Sequence, residues 1–341
     1  MDERLLEILV DPKTKRPLRL RENSSGTELE SDEGKCYIIR NGIPRFVGDL
    51  EADQAQTGQS FGFKWRWREF SDSPRLKEQF AEWVTHRYGF FDLGEMRTFF
   101  ESRDWILDAG CGAGYSSSMW LDDSWRGGGW VGTDVSEAVD VAQARLGSVP
   151  GTSFVQADVL ELPFESAFDT IFSEGVFHHT PSTRAALASA IGALRPGGEI
   201  LFYVYRRKSP IREFTDDYVR QAIADLEPEQ ALESLRPLTR LGQALAELDV
   251  EVDVPEDVPV LGIEAARFDV QRLIYWHFAK LFWNPALSFD ENLHINFDWY
   301  HPRYAHRHEP EEVRSWCEEL GLKITRFHVD EAGITVRATK A

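Results

Sequence analysis

Cysteine is scarce in this chain: three in 341 residues, Cys36, Cys111 and Cys317, odd in number and far apart. That excludes a disulfide framework, and a reducing, cytoplasmic compartment is expected. No apolar run reaches the ~18 residues that span a bilayer. The opening Met-Asp-Glu-Arg-Leu-Leu-Glu lacks a secretory pattern, so no membrane association is expected. Basic residues are in deficit, 38 Lys and Arg against 57 Asp and Glu, for a net charge of −19, and no basic run of five occurs. A surface that tracks phosphates needs a local excess of Lys and Arg. Nucleic acid is therefore disfavoured as a partner, and a small-molecule substrate fits better. Aromatic and apolar residues are plentiful instead: 42% of the chain is hydrophobic, with 11 Trp and 22 Phe. That is ample for a core, and the length corresponds to about two domains.

The most informative stretch is Trp105-Ile-Leu-Asp-Ala-Gly-Cys-Gly-Ala-Gly-Tyr115. An apolar run ends in Asp108, and Gly110, Gly112 and Gly114 follow at every second position. Ser116-Ser117-Ser118 then opens a helix expected over 113–122. A buried strand, a glycine turn and a helix N-terminus form a ligand cradle, because glycine lets backbone approach a ligand and the helix start offers N–H groups.

Around this turn the chain alternates strand and helix. Strands are expected at 105–110, 129–134, 153–157, 168–173 and 199–205, with helices at 136–146 and 181–194. The strands are near-continuous apolar runs, as in a parallel sheet covered on both faces. Two last strands, 323–329 and 334–339, share so short a link that they are antiparallel, and they follow a helix at 309–321. Residues 1–48 read as a small β-rich unit that leans on the rest for its stability. Residues 49–60 are polar and read as a linker, and 75–102 as helical. Residues 207–290 are helix-rich and acidic, without strand alternation. The expected division is 1–48, 49–104, 105–206, 207–308 and 309–341.

Four features fall at C-terminal strand ends, the edge where open α/β sheets bind ligands. They are the glycine turn, Asp134 with the adjoining Val135, Asp158 with Val159, and Ser173-Glu174-Gly175-Val176-Phe177-His178-His179. Asp134 stands 20 residues after Gly114 and suits a ribose diol. Asp158 beside an apolar residue suits an adenine ring. The glycine spacing is G-x-G-x-G rather than the G-x-G-x-x-G of dinucleotide sites. The aspartate before it would repel a pyrophosphate and welcome an ammonium and a sulfonium.

In these motifs and their order, with Phe168-Asp-Thr-Ile-Phe-Ser-Glu174 and Leu194-Arg-Pro-Gly-Gly198, residues ~85–206 and 309–340 resemble class I S-adenosylmethionine-dependent methyltransferases. The resemblance implies a Rossmann-like sheet of seven strands, the last antiparallel, carrying a helical insertion. It implies S-adenosylmethionine as cofactor, S-adenosylhomocysteine as product, and no metal. The implied cofactor residues are Asp108, Gly110, Cys111, Gly112 and Gly114 for the methionine part. Asp134 and Val135 would hold the ribose, Asp158 and Val159 the adenine, with Glu174 beside them. The first 48 residues resemble the small Trm112-like or UPF0434-type domain, through Leu-Leu-Glu-Ile-Leu-Val-Asp-Pro-Lys-Thr and Asn-Gly-Ile-Pro-Arg-Phe. Many zinc-binding relatives have cysteine where Asp11 stands, so no zinc is expected here.

Some assignments stay two-sided. Phe61 and Trp65 read as an aromatic lid over a sulfonium, or as packing for the small domain. His178 and His179 are candidate general bases, or pocket and cap residues. Arg206 and Arg207 leave strand five as substrate clamps, or as a solvated turn. The segment 296–308 is dense in polar aromatics. It offers Tyr300 as a further catalytic candidate and Asp298, Trp299, Tyr304 and His306 as substrate contacts. A metal site from Asp298, His301, His306 and His308 is opposed by their irregular spacing. The reading is methyl transfer to a small molecule, with the acidic 207–308 segment as a substrate cap or a homodimer contact. RNA or protein modification, and transfer of a group other than methyl, are the alternatives.

Overall fold

The computed structural model describes residues 2–23, 26–66 and 74–341, with only the backbone of 23, 64–66 and 74. The chain opens with α1 (Glu3–Ile8), capped by Asp2, and an antiparallel sheet of β1 (Arg19–Asn23), β2 (Gly26–Glu30), β3 (Cys36–Arg40) and β4 (Ile43–Pro44). Asn41 and Gly42 join β3 to β4 with positive φ at both positions, 55° and 79°, the geometry that Asn-Gly favours in tight hairpins. This sheet has too few residues to bury a core alone. Leu5, Leu9, Leu18, Leu29 and Tyr37 share one apolar cluster with Leu107, Val131 and Phe168 of the larger sheet. The Phe46 N–H donates to the Gln156 carbonyl at 2.8 Å. Buried Arg45 grips Asp140 at 2.6 and 3.0 Å.

The polar stretch read as a linker is helical: α2 spans Ala52–Arg66. Ala and Gln favour helix, and the polar residues Thr57 and Ser60 are buried rather than solvated. The expected helix over 75–102 is two, α3 (Pro74–Tyr88) and α4 (Leu93–Glu101). They part at Gly89, whose φ is +80° and whose missing Cβ would lie 2.8 Å from the Arg326 guanidinium.

Then come β5 (Trp105–Ala109), β6 (Gly129–Asp134), α5 (Ala138–Leu146), β7 (Thr152–Gln156), β8 (Phe168–Glu174), α6 (Thr183–Ala193) and β9 (Leu194–Tyr205). In place of the helix expected at 113–122 there is one 3-10 turn, Ser117–Met119. Its serines bond locally instead: Ser117 Oγ to Asp108 and Ser118 Oγ to the Tyr115 carbonyl. Serine competes with helix in this way.

Residues after β9 form α7 (Pro210–Ile223), α8 (Pro228–Ser234), α9 (Arg236–Glu247), β10 (Glu251–Val254), β11 (Ala266–Asp269), α10 (Val270–His277) and α11 (Phe289–Tyr300). The hairpin of β10 and β11 is a departure from the helical reading of 207–290. Its residues are half-buried or exposed, so the apolar signal that marks a strand is weak. The chain ends with α12 (Pro310–Glu319), β12 (Leu322–Val329) and β13 (Gly333–Lys340). The main sheet runs β12-β13-β9-β8-β5-β6-β7, with β13 antiparallel to both neighbours and β9 through β7 parallel. The fold is the expected seven-stranded Rossmann-like sheet with a small N-terminal β-rich sheet beside it. Among the described residues, no helix is long and apolar enough to cross a membrane.

Candidate active site

A cavity of about 350 Å³ opens at the C-terminal ends of β5, β6, β7 and β8. Its floor is the glycine turn. Gly110 has φ +85°, and a Cβ there would meet Val176 Cγ2 at 2.3 Å. No other residue fits without moving that neighbour. Gly114, at φ +72°, packs on Leu146 and lies outside the wall. Cys111 is part of the wall, and burial pushes the ionisation of its thiol far up.

At the β6 end, the Asp134 carboxylate is organised by the backbone. Oδ2 accepts from Gly112 N at 2.9 Å, and Oδ1 accepts from Ser136 N at 2.8 Å and Ser136 Oγ at 2.6 Å. Burial raises its pKa, against the pull of those donors. At the β7 end, Asp158 Oδ1 accepts from Leu160 N at 2.9 Å, and Oδ2 accepts from Gln54 Nε2 at 2.6 Å. Helix α2 thus lies over this end, and its Gln54, Thr57, Gly58 and Phe61 line the cavity.

At the β8 end, Glu174 accepts from Arg87 Nη2 at 2.5 Å and from the Tyr88 hydroxyl at 2.8 Å. The fully buried Arg87 guanidinium lies between Trp83 and Tyr203, 3.3 and 4.0 Å from their ring centroids. A buried charge is tolerated when it is paired this way. Phe61, Phe80, Trp83, Tyr115, Tyr203 and Tyr205 make the rest of the wall aromatic, with His179, Thr180 and Asp298 beside them. His179 Nδ1 faces the Tyr304 carbonyl at 2.6 Å. A carbonyl only accepts, so Nδ1 carries the proton and the neutral ring has its lone pair on Nε2.

Residues 107–202 match the family model described as a methyltransferase domain. Over 122 residues the chain is 30% identical to phthiotriol/phenolphthiotriol dimycocerosates methyltransferase 1 of Mycobacterium ulcerans, covering 36% of this chain and 45% of that one. It is 32% identical over 143 residues to malonyl-[acyl-carrier protein] O-methyltransferase of Serratia marcescens, covering 41% and 51%. The chain therefore spans about half the length of these curated relatives. Among solved structures, magnesium protoporphyrin IX methyltransferase of Synechocystis PCC 6803 with bound S-adenosylmethionine aligns with TM-score 0.44 and 13% identity, over 86% of this chain and all of that one.

The cavity offers a turn with no side chain at Gly110 and Gly112 and carboxylates at strand ends, a lining that fits S-adenosylmethionine. Not every residue singled out in the sequence belongs to its wall. Gly110, Cys111, Gly112, Asp134, Val135, Asp158, Val159, Glu174, Phe61, His179 and Asp298 do. Asp108 lies behind the turn, 3% exposed, and accepts from Ser117 Oγ. Its burial, opposed by that bond and reinforced by the charges of Asp134 and Glu174, pushes its pKa up to about 7. His178 is fully buried against the Tyr205 ring, with centroids 3.8 Å apart, so it cannot serve as base. Tyr300 is also fully buried, its hydroxyl bonded to Asp216 and to Lys280 N. Trp299 Nε1 donates to Asp216 at 2.8 Å.

Arg206 reaches the Asp330 carbonyl, and Arg207 lies 3.8 Å from Glu309. His306 bonds the Thr180 carbonyl through Nε2, and Tyr304 contributes its carbonyl to His179 rather than its ring to the cavity. Trp65 is on α2, and its side chain lies outside the described residues. The sequence reading missed Gln54, Thr57 and Gly58 of α2, and Phe80, Trp83, Tyr115, Tyr203 and Tyr205. The last two end strand β9, where the strand-end rule that found Asp134 applies equally.

Proposed function

We propose that the chain transfers a methyl group from S-adenosylmethionine to a small-molecule acceptor. The carrying observation is the continuity of one cavity, from Asp134 and Asp158 past the glycine turn to the aromatic wall around His179. S-adenosylmethionine, when bound, supplies a methyl on a positively charged sulfur. In this reading Asp134 accepts from the ribose hydroxyls, and Asp158 and Val159 hold the adenine. Gly110 and Gly112 admit the methionine part against bare backbone. Phe61, Phe80, Trp83, Tyr203 and Tyr205 hold the acceptor and keep out water. His179 Nε2 takes its proton, while positioning by the walls does most of the work.

Among the described residues no Lys or Arg lines the cavity, which favours an uncharged or cationic acceptor over a phosphate-bearing one. In the same proposal residues 1–48 are a Trm112-like unit that needs no zinc. Asp11, where many relatives have cysteine, accepts from Lys13 N and Thr14 N at 2.9 Å and from the Tyr37 hydroxyl at 2.6 Å.

Calorimetry with S-adenosylmethionine should show micromolar binding. S-adenosylhomocysteine release, screened over small hydroxyl and amine compounds and over transfer RNA, should occur with a small compound. Failure to bind the donor refutes the reading, and turnover on RNA alone refutes its acceptor half.

A further inference from the structure

Helix α2 and the turn that carries His179 do not merely flank one cavity. They are joined through the backbone of residues 301–306. On the α2 side, Gln56 Oε1 accepts from Arg303 N at 2.8 Å, and Thr57 Oγ1 accepts from Tyr304 N at 3.1 Å. Gln56 Nε2 donates to the carbonyls of His301 and Ala224, each at 2.9 Å, and Ser60 Oγ faces His301 Nδ1 at 2.9 Å. On the other side, the Tyr304 carbonyl accepts from His179 Nδ1 at 2.6 Å, and His306 N donates to the His178 carbonyl at 2.9 Å. His306 Nε2 faces the Thr180 carbonyl at 3.0 Å. Tyr304 is thus held at its N–H by α2 and holds His179 at its carbonyl. The same helix reaches the far end of the cavity through Gln54 and Asp158, 2.6 Å apart.

We infer that residues 301–306 are a strut by which α2, seated over the adenosyl end, fixes the orientation and tautomer of His179, and that Thr57 is its positioning residue. The inference rests on the proposed role of His179 as proton acceptor. Thr57 is suited to the task. It is 4% exposed, its hydroxyl donates to the Asp53 carbonyl at 2.9 Å, and its lone pair is thereby turned toward Tyr304 N. A backbone carbonyl aimed at Nδ1 selects the tautomer whose Nε2 can accept a proton. An α2 that sits correctly therefore selects a competent base.

The test uses the full chain. Long-range ¹H–¹⁵N correlation of the imidazole nitrogens reports the His179 tautomer directly, with and without S-adenosylhomocysteine. The wild type should show the Nδ1–H form. Thr57→Val, which keeps the volume and removes the hydroxyl, should raise the Nε2–H form several-fold, and Thr57→Ser should restore the wild-type spectrum. With an acceptor in hand, Thr57→Val should lower kcat about tenfold while the KM for donor changes less than twofold. The ascending limb of its pH profile should move to lower pH, because a carbonyl acceptor favours the imidazolium. A wild-type Nε2–H tautomer overturns the inference without any variant, and so does an unchanged tautomer in Thr57→Val. Loss of homocysteine-ligand binding by the wild type would instead remove the functional reading beneath it.

Discussion

Replacing Asp134 with alanine tests where the donor sits. Oδ1 already accepts from Ser136 N and Ser136 Oγ, and Oδ2 from Gly112 N. A carboxylate has about four lone-pair sites, so roughly one remains for a ligand, on the oxygen beside the glycine turn. A ribose hydroxyl can add one charge-assisted bond there. A second forms only where the Ser136 hydroxyl gives way. Each bond to a charged group contributes about 1.5–3 kcal/mol, so one to two of them come to about 3 kcal/mol. That is about a hundredfold in Kd.

Alanine also leaves the Gly112 N–H without its acceptor, which loosens the turn and adds to the loss. The assay is calorimetric titration of wild type and Asp134→Ala with S-adenosylhomocysteine, with thermal melting to show that the variant is folded. Ser136→Ala refines the result: its removal should change affinity by no more than about threefold if its hydroxyl yields to the ribose. Binding of Asp134→Ala within threefold of wild type would refute the assignment of this strand end to the donor.

Two further predictions concern the buried charges around the turn. Arg87→Met leaves the Glu174 carboxylate, 8% exposed, without its cation, and breaking such a pair costs about 3–5 kcal/mol. Urea unfolding should show that loss, and Arg87→Met/Glu174→Gln should recover at least half of it; a single-variant cost under ~1 kcal/mol would contradict the pairing. Asp108 is raised from 3.8 to about 7, so the folded protein holds a proton that the unfolded chain releases. Its share of stability is full below pH ~4 and is lost as pH rises toward ~7, by at most about 4 kcal/mol at ~1.4 kcal/mol per unit. The stability of wild type relative to Asp108→Asn should therefore fall over that interval, and a flat difference would show that Asp108 is not so perturbed.

The strands and the two strand-end carboxylates that line the cavity were legible because their causes are local. An unbroken apolar run marks a strand buried on both faces, and the residue that ends it must face the C-terminal edge whatever surrounds it. Asp134 and Asp158 needed no knowledge of the rest of the chain. Helix α2 did. Its composition reads as solvated, yet Gln56 and Thr57 meet partners some 247 residues further on. Nothing in residues 49–60 announces that.

The same cause separates His178 from His179. The two are adjacent and chemically identical, and the one that faces the cavity is chosen by the backbone of Tyr304 and His306. Trp299 and Tyr300 show the converse error. Their density of polar aromatics reads as a pocket lining, but both donate to Asp216, a fully buried carboxylate that also holds Arg212. A buried anion must collect donors from any element within reach, so Trp and Tyr beside an acidic helix answer two different needs with the same residues. Only the position of the carboxylate on α7, packed against α11, tells which need is being met here. It follows that the acceptor's contacts are to be sought where aromatics face the cavity, at Tyr203 and Tyr205 on β9, rather than at the segment that looked richest.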